Sequence, residues 1–340
     1  MSSLDKAQLI SAFKSLGKFM AQPNEAFQAT IYSASNANAW FTLEEVNKSV
    51  KALAEMLNEQ DLEHWFKDIE INPTPKKVGL ILAGNIPLVG FHDVMCVLAT
   101  GNIAQIKLSS SDNKLLPFVL NHLVKLLPEL KSRIVFTEQL KDFDAVIATG
   151  SNNTSRYFEY YFGKVPNIIR KNRNSVAVLT GNESEEEIKQ LGHDILDYFG
   201  MGCRSISKIF IPKSYDIKYF FEPLEDFQPI INHFKYNNNY DYNKSIYLVN
   251  QQKHFDNGFL LLKEDEGLAS PLAVLYYETF DTLEEVSDKL NQQREHIQCV
   301  VGNVALSNLS VLGFGQSQHP KLSDYADNVD TIQFLNGIRD

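Results

Sequence analysis

Cysteine is scarce in this chain. Three cysteines occur among 340 residues, and no two of them form a Cys-x-x-Cys pair. This usage argues against a disulfide scaffold and against a structural zinc site, and it is typical of a protein kept in a reducing compartment. We therefore expect no metal site and a cytoplasmic location.

Positive charge and long apolar runs are also lacking. The net charge of −10 at pH 7 argues against nucleic acid or an anionic membrane as the main partner. The most apolar segment, residues 78–91, is interrupted by Gly84, Asn85 and Pro87, so we expect no membrane span. The N-terminal residues mix charged and apolar side chains, as an amphipathic helix does and a signal peptide does not.

What is present is typical of a globular chain of roughly two domains, with 44% hydrophobic and 22% charged residues. Helical spacing of apolar residues predicts helices across residues 1–70, and from residue 78 short apolar strands alternate with helices. Strands are predicted at 78–83, 103–108, 133–136 and 145–148, and helices at 87–100, 115–127 and 152–162. This alternation predicts an α/β fold with a doubly wound parallel sheet, whose ligands bind beyond the carboxyl ends of the strands.

A second α/β unit is predicted from about residue 174 to about residue 306. Within it, residues 232–247 are rich in Asn and Tyr, a composition that favours a surface loop. Near the C-terminus, residues 331–335 alternate apolar and polar side chains and are predicted to form a strand. Such a strand commonly pairs with another sheet edge, so we expect a homodimer, with pairing inside the chain as the alternative.

Cys203 is the candidate nucleophile. It lies between a predicted helix, which begins with the capping-box spacing of Ser184 and Glu187, and a predicted strand. Glycines nearby let backbone or substrate approach the sulfur. Arg204 favours the reactive thiolate, whereas the end of the preceding helix opposes it. A buried core residue is the alternative, and Cys96 and Cys299, which lie inside apolar runs, are predicted to be packing residues of that kind.

Several short segments occur in an informative order. They are Gly84 to Leu88, Ala99 to Asn102 followed by Lys107 and Ser109, Thr149 to Ser151, Gly202–Cys203 with the strand after it, Ser270 to Val274, and Gln318 to Asp327. In this order they resemble the aldehyde dehydrogenase superfamily, and specifically its acyl-CoA reductase branch, that of the fatty acyl reductases of bacterial luminescence. The resemblance implies an aldehyde-dehydrogenase-like fold. It divides the chain into a nicotinamide-cofactor domain, residues 1–174 joined by 307–340, and a catalytic domain, residues 175–306.

The resemblance also implies roles for the residues at the strand ends. The Asn85 amide and the Cys203 backbone N–H become the donors to an oxyanion, and Lys107 with Ser109 binds the adenosine ribose or its phosphate. The turn Thr149-Gly150-Ser151 opens a helix whose N–H groups can meet a phosphate. Each of these residues also has a purely structural alternative: a turn residue for Asn85, a solvated lysine for Lys107 and a helix cap for Ser151.

Two departures from the family pattern bear on the chemistry. The glutamate that activates water in hydrolytic aldehyde dehydrogenases is replaced by the stretch Arg170 to Ser175, which has no carboxylate. The glutamate that holds the nicotinamide ribose is displaced by one residue, so Glu266 is its substitute.

The resulting hypothesis is the reduction of an acyl-CoA or acyl-protein thioester to the aldehyde through a thioester on Cys203. NADPH is the expected cofactor, with NADH as the alternative, because the run Ser109–Ser111 lacks the acidic residue that disfavours a ribose 2′-phosphate. An acyltransferase or thioesterase-like protein that uses Cys203 without a nicotinamide is the alternative function. A non-catalytic scaffold would require Cys203 to be inert.

Overall fold

The computed structural model describes residues 4–338. Within this part of the chain the residues form two compact units: the first extends to Asn172 and resumes at Pro320, and the second is Arg173–His319. The first unit opens with helices whose N-caps are Asp5, Asn24, Thr42 and Asn58, each accepting a hydrogen bond from a backbone N–H of its first turn. These helices are α1 (Lys6–Ala21), α2 (Glu25–Ala37), α3 (Leu43–Met56) and α4 (Glu59–Trp65).

The first unit continues with alternating strands and helices. They are β1 (Lys77–Ile81), α5 (Phe91–Ala99), β2 (Ile103–Lys107), α6 (Leu115–Leu126), β3 (Ile134–Phe136), β4 (Ala145–Thr149), α7 (Asn152–Phe162) and β5 (Asn167–Arg170). Among residues 4–338 the five strands form one parallel sheet in the order β3-β2-β1-β4-β5. The predicted doubly wound α/β fold is therefore confirmed in this unit.

The second unit contains the remaining strands and most of the later helices. They are β6 (Asn174–Val178), α8 (Glu185–Leu196), β7 (Ile206–Pro212), α9 (Ile217–Phe221), α10 (Phe234–Val249), β8 (Phe255–Asp256), β9 (Leu261–Glu264), β10 (Val274–Phe280), α11 (Leu283–Gln292), β11 (Ile297–Gly302) and β12 (Val311–Leu312). In the described residues the strands of this unit form a seven-stranded sheet in the order β12-β11-β6-β7-β10-β9-β8, with only β8 antiparallel to its neighbour. The capping box of Ser184 and Glu187 opens α8 as predicted.

The predicted loop at residues 232–247 is wrong, because Phe234–Val249 forms helix α10. The aromatic residues Tyr236, Tyr240 and Tyr247 are buried together with Asn243, at helical spacings that bring them to one face. The Tyr236 hydroxyl donates to the Phe259 carbonyl at 3.1 Å, and the Asn243 amide donates to the Leu272 carbonyl at 2.9 Å. Tyrosine and asparagine can therefore supply a buried helix face when the fold gives their polar atoms partners.

The predicted C-terminal strand is also wrong, because Thr331–Asn336 forms helix α12. Asp330 caps this helix by accepting a hydrogen bond from the Gln333 N–H, and Ile332 and Leu335 pack into the core of the first unit. The homodimer stays a prediction, but it loses the strand on which it depended.

The observed unit boundaries, 172/173 and 319/320, differ from the predicted ones, 174/175 and 306/307. Residues 307–319 group with the second unit because β12 pairs with β11. In addition, the Asp194 carboxylate accepts hydrogen bonds from the Gly315 and Ser317 N–H groups at 2.7 and 2.9 Å. Between residues 4 and 338, no helix is both long and apolar enough to cross a membrane.

Candidate active site

The carboxyl edge of the first sheet gathers most of the predicted binding residues. Strand β1 is central, with β2 on one side and β4 on the other, so the direction of strand addition reverses between β1 and β4. Ligands of doubly wound sheets bind at such a reversal, beyond the carboxyl ends of the strands. We use the name carboxyl edge for Asn85, Lys107, Ser109 and the turn Thr149–Ser151, which follow or end β1, β2 and β4.

The turn that carries Asn85 is held by two buried side chains. The Ser49 hydroxyl donates to the Pro87 carbonyl at 2.7 Å, and the Leu88 N–H donates to the Asp112 carboxylate at 2.8 Å. Leu88 has a φ of +59°, an uncommon conformation for a residue with a branched side chain. Because of this turn, α5 begins at Phe91, four residues after the predicted start at Pro87. Asn85 itself is exposed.

The loop after β2 lies against the loop after β1. A Cβ on Gly84 would lie 2.6 Å from the Cβ of Ser109, so only glycine allows this approach. The Ser109 hydroxyl accepts a hydrogen bond from the Ser111 N–H at 3.2 Å. The side chain of Lys107 is exposed and forms no ion pair within residues 4–338.

The nearest carboxylate of this loop is directed inward. Asp112 is buried and binds the Leu88 N–H, and burial raises the pKa of its carboxyl group. The Ser109–Ser111 run therefore presents hydroxyl groups, while the acidic group after it belongs to the interior.

The turn Thr149–Ser151 joins β4 to α7, as predicted. Ser151 is the N-cap of α7, and its hydroxyl accepts a hydrogen bond from the Thr154 N–H at 3.3 Å. The cap confirms the structural alternative for Ser151. A phosphate can still bind at this turn, because further N–H groups of the first turn lack intrahelical partners.

Cys203 lies in the second unit on the turn Gly202–Ser205, which we name the nucleophile turn. Helix α8 ends at Leu196, and Tyr198, Phe199 and Gly200 then take φ values of +54°, +57° and +73°. Left-handed conformations cost about 1–2 kcal/mol for each residue other than glycine, and here the burial of both aromatic rings offsets that cost. The result is an abrupt exit from the helix that leaves Cys203 exposed.

Ser175, at the start of β6, holds the nucleophile turn by its backbone. Its hydroxyl donates to the Cys203 carbonyl at 2.9 Å and accepts from the Cys299 N–H at 3.2 Å. The Cys299 sulfur lies 3.0 Å from the same hydroxyl, and burial raises the pKa of its thiol to about 11. Cys299 therefore stays protonated near neutral pH and packs against Ser175.

The nucleophile turn is also held from its far end. The Ser205 hydroxyl accepts hydrogen bonds from the Gly202 N–H at 3.2 Å and from the Gln318 side-chain amide at 3.3 Å.

Cys96, the third cysteine, is fully buried, and burial raises the pKa of its thiol. Of the three cysteines, Cys203 alone is exposed.

The stretch that replaces the water-activating glutamate is occupied by cations. Arg170 ends β5 and pairs with Asp93 at 2.5 Å, and both side chains are buried. Its guanidinium also donates to the Thr331 hydroxyl at 3.2 Å. Arg170 thus fastens α5 and α12 to the sheet of the first unit, which is a structural role.

A family model described as acyl-CoA reductase (LuxC) matches residues 43–224, more than half of the chain. The match extends from α3 through Cys203 and into the residues after β7. The chain belongs to the LuxC acyl-CoA reductase family. The resemblance read from the short motifs is therefore confirmed.

Solved aldehyde dehydrogenases share the fold of this LuxC family member. KauB from Pseudomonas aeruginosa is 12% identical, with a TM-score of 0.68 over 97% of this chain and 83% of that chain. AldA indole-3-acetaldehyde dehydrogenase from P. syringae, solved with NAD⁺ and IAA, is 13% identical, with a TM-score of 0.63 over 91% of this chain and 76% of that chain. Aldehyde dehydrogenase 21 from Physcomitrella patens, solved with succinate, is 10% identical, with a TM-score of 0.66 over 99% of this chain and 85% of that chain. No match to the chain is found among curated proteins.

The structure brings six of the predicted residues together at one edge of the first sheet. Asn85, Lys107, Ser109, Thr149, Gly150 and Ser151 follow or end strands of one parallel sheet. Glu266 lies in the second unit, on the loop between β9 and β10, with an exposed side chain that forms no ion pair within the described residues. No cluster of three or more metal-ligating His, Cys, Asp or Glu side chains occurs between residues 4 and 338.

Sequence reasoning missed the residues that position the candidate nucleophile. Ser175 and Gln318 are 28 and 115 residues from Cys203. Gln318 begins one of the family-like segments, but nothing in the local sequence gives either residue a role beside the cysteine. Their importance depends on pairing across the sheet and on a long loop, neither of which has a local signal.

Proposed function

We propose that this LuxC family member reduces an acyl thioester, carried by CoA or by a carrier protein, to the aldehyde with NADPH. One observation carries the proposal: of the three cysteines, Cys203 alone is exposed, and it stands on an anchored turn, whereas burial raises the thiol pKa of Cys96 and of Cys299. That turn lies within the segment matched by the acyl-CoA reductase model. The proposed donor of hydride has support in the shared fold, since an aldehyde dehydrogenase of the same fold was solved with NAD⁺.

The first half of the reaction is an acyl transfer to Cys203. The thiolate attacks the carbonyl carbon of the substrate, a new C–S bond forms, and the bond to the CoA sulfur breaks. CoA leaves as a thiolate and takes a proton from solvent. In this proposal the Asn85 amide and the Cys203 N–H donate to the oxygen that becomes negative during the attack.

The second half of the reaction needs a bound nicotinamide, and the donor groups at the carboxyl edge fit one. Lys107 offers an exposed ammonium and α7 offers an N-terminal turn. The family resemblance assigns the exposed Glu266 carboxylate to ribose hydroxyls. A bound nicotinamide would supply a hydride to the acyl carbon, and the carbon–sulfur bond of the Cys203 thioester would then break. Cys203 then returns to the thiolate form, and the product is the aldehyde.

The preference for NADPH rests on the loop after β2. Lys107 and Ser109 present a cation and a hydroxyl group, and Asp112 is buried against the Leu88 N–H. With its carboxylate directed inward, the loop lacks the exposed negative charge that would repel a ribose 2′-phosphate.

The test is the absorbance of the reduced nicotinamide, followed in the presence of acyl-CoA and in its absence. We expect oxidation of NADPH that depends on acyl-CoA and yields aldehyde. Acylation of Cys203 without any change of the nicotinamide would instead establish an acyltransferase or thioesterase-like protein. A Cys203 that does not react with iodoacetamide would rule out both enzymes.

A further inference from the structure

Strand β7 carries a bulge directly after the nucleophile turn. Ser175 of β6 pairs with Ile206 and Val176 pairs with Lys208, so Ser207 is the extra residue. Bulges change the direction of neighbouring side chains and concentrate beside active sites. The two residues at this bulge, Ser207 and Lys208, both reach the loop between β9 and β10.

Both contacts are made to main-chain carbonyl groups of that loop. The Lys208 ammonium donates to the Glu266 carbonyl at 2.9 Å, and the Ser207 hydroxyl donates to the Leu268 carbonyl at 2.7 Å. The residues joined in this way are 58 and 61 positions apart in the sequence. The backbone on both sides of Gly267 is therefore fixed to the strand that follows Cys203.

Lys208 is an unusual residue for this strand position. Its side chain is fully buried, and its ammonium lies 5.0 Å from the centre of the Phe210 ring. The ammonium also donates to the Glu278 carboxylate at 2.6 Å, and burial lowers the pKa of Lys208 although Glu278 opposes that change. A buried charge is costly, and an apolar side chain would pack here without that cost, so packing alone does not explain a lysine.

Glu278 does not depend on Lys208 for a partner. Lys289 of α11 donates to both of its oxygens, at 2.6 and 2.7 Å. Of Lys208 and Lys289, only Lys208 donates to the Glu266 carbonyl. What distinguishes Lys208 is thus its hold on the loop.

We propose that Ser207 and Lys208 form a clamp that fixes the Glu266–Leu268 turn for binding of the nicotinamide ribose. Lys208 is then a positioning residue for the second half of the reaction and has no part in the first. This role rests on the proposed function, which assigns Glu266 to the ribose. The clamp holds the backbone, so the exposed Glu266 carboxylate starts from one fixed position when the cofactor arrives.

The experiment separates the two half-reactions in the full chain carrying Lys208→Met. Acylation is measured with radiolabelled acetyl-, octanoyl- and hexadecanoyl-CoA without nicotinamide, and cofactor binding by fluorescence titration with NADPH. We expect the dissociation constant for NADPH to rise about tenfold or more, as for loss of a hydrogen bond from a charged donor. Acylation should stay within about twofold of the wild type, a separation that general loss of structure would not produce.

Lys289→Met is the matched control, because it removes the other cation of Glu278 and leaves the contact with Glu266 intact. We expect unchanged NADPH binding in this variant. If Lys208→Met does not fold, Ser207→Ala tests the other half of the clamp, with an expected rise in the NADPH dissociation constant of about threefold and unchanged acylation.

The outcomes distinguish the clamp from the function on which it rests. A wild-type enzyme that neither takes the label nor oxidises NADPH overturns the proposed function and the clamp together. An active wild type whose Lys208→Met or Ser207→Ala variant binds NADPH normally overturns the clamp alone. So does a variant that loses acylation in the same proportion as NADPH binding.

Discussion

The nucleophile turn and the carboxyl edge are built in different ways. At the nucleophile turn the candidate residue itself is held, because Ser175 donates to the carbonyl of Cys203. At the carboxyl edge the anchors hold neighbours: Ser49 and Asp112 bind Pro87 and Leu88, and the Asn85 side chain stands exposed beyond them.

This difference matches the demands of the two proposed steps. A covalent bond forms only when the attacking sulfur has the right distance and direction, and a misplacement of about 1 Å can cost about 10²-fold in rate. An exposed lysine can bind a phosphate over a range of positions, and such a contact contributes less. Substitutions around Cys203 should therefore change rates of acylation, and substitutions of Lys107, Ser109 and the turn Thr149–Ser151 should change cofactor affinity.

Cys203→Ala gives the largest expected effect. It removes the only nucleophile that the proposal contains, so labelling by radioactive acyl-CoA should fall to background, while NADPH binding stays within about twofold because the thiol belongs to the first half-reaction. Cys96→Ala and Cys299→Ala are the matched controls and should retain labelling. Retained labelling in Cys203→Ala would contradict the assignment of the nucleophile.

The next test asks whether the acyl group leaves the Cys203 thioester to CoA or to water. Hydrolysis of the Cys203 thioester needs a general base near a water molecule, and the lack of such a base typically costs ~10²–10⁴-fold in rate. The segment that would supply it begins with Arg170, which is committed to Asp93. In the reverse direction, with aldehyde and NADP⁺, we expect acyl-CoA to form only when CoA is present, with little free acid. Free acid and acyl-CoA are measured side by side, and free acid formed equally fast without CoA would contradict this expectation.

Ser175→Ala tests whether anchoring of the turn matters. It removes the hydrogen bond to the Cys203 carbonyl, and we expect the rate of acylation to fall about tenfold with little change in NADPH affinity. Cys299→Ala is again the control, since it removes the sulfur beside the same hydroxyl and leaves the hydrogen bond from Ser175 to the Cys203 carbonyl in place. An unchanged acylation rate in Ser175→Ala would show that the turn is rigid without this contact.

Much of this architecture was predictable because its signals are local. The capping box at Ser184, the cap at Ser151 and the short apolar strands each involve residues a few positions apart, and the structure confirms them. The order of the motifs also predicted the family, since the motifs lie in a consistent order at the ends of predicted strands.

The errors arose where a local pattern competed with the fold. Residues 331–335 alternate like a strand, but Asp330 caps a helix there, and its spacing to Gln333 was the overlooked signal. The polar composition of α10 hid a buried face that depends on partners 23 and 29 residues away. Ser175 and Lys208 could not have been predicted at all, because a bulge and pairing across the sheet decide what they touch.

Lys107→Ala should give the smallest effect, and it tests whether the carboxyl edge binds the 2′-phosphate of the cofactor. The ammonium is exposed, so its attraction to a 2′-phosphate is screened by water and contributes less than about 1 kcal/mol, or roughly fivefold in affinity. We expect that loss for NADPH, almost none for NADH, and an unchanged rate of Cys203 acylation. Lys77→Ala is the matched control, because Lys77 is an exposed lysine at the amino end of β1, away from the carboxyl edge. Titrations at low and high salt add a second criterion, since a charge contact with the phosphate weakens as salt screens it. Equal losses for NADPH and NADH would place Lys107 against a part that both cofactors share and would leave the NADPH preference without its main support.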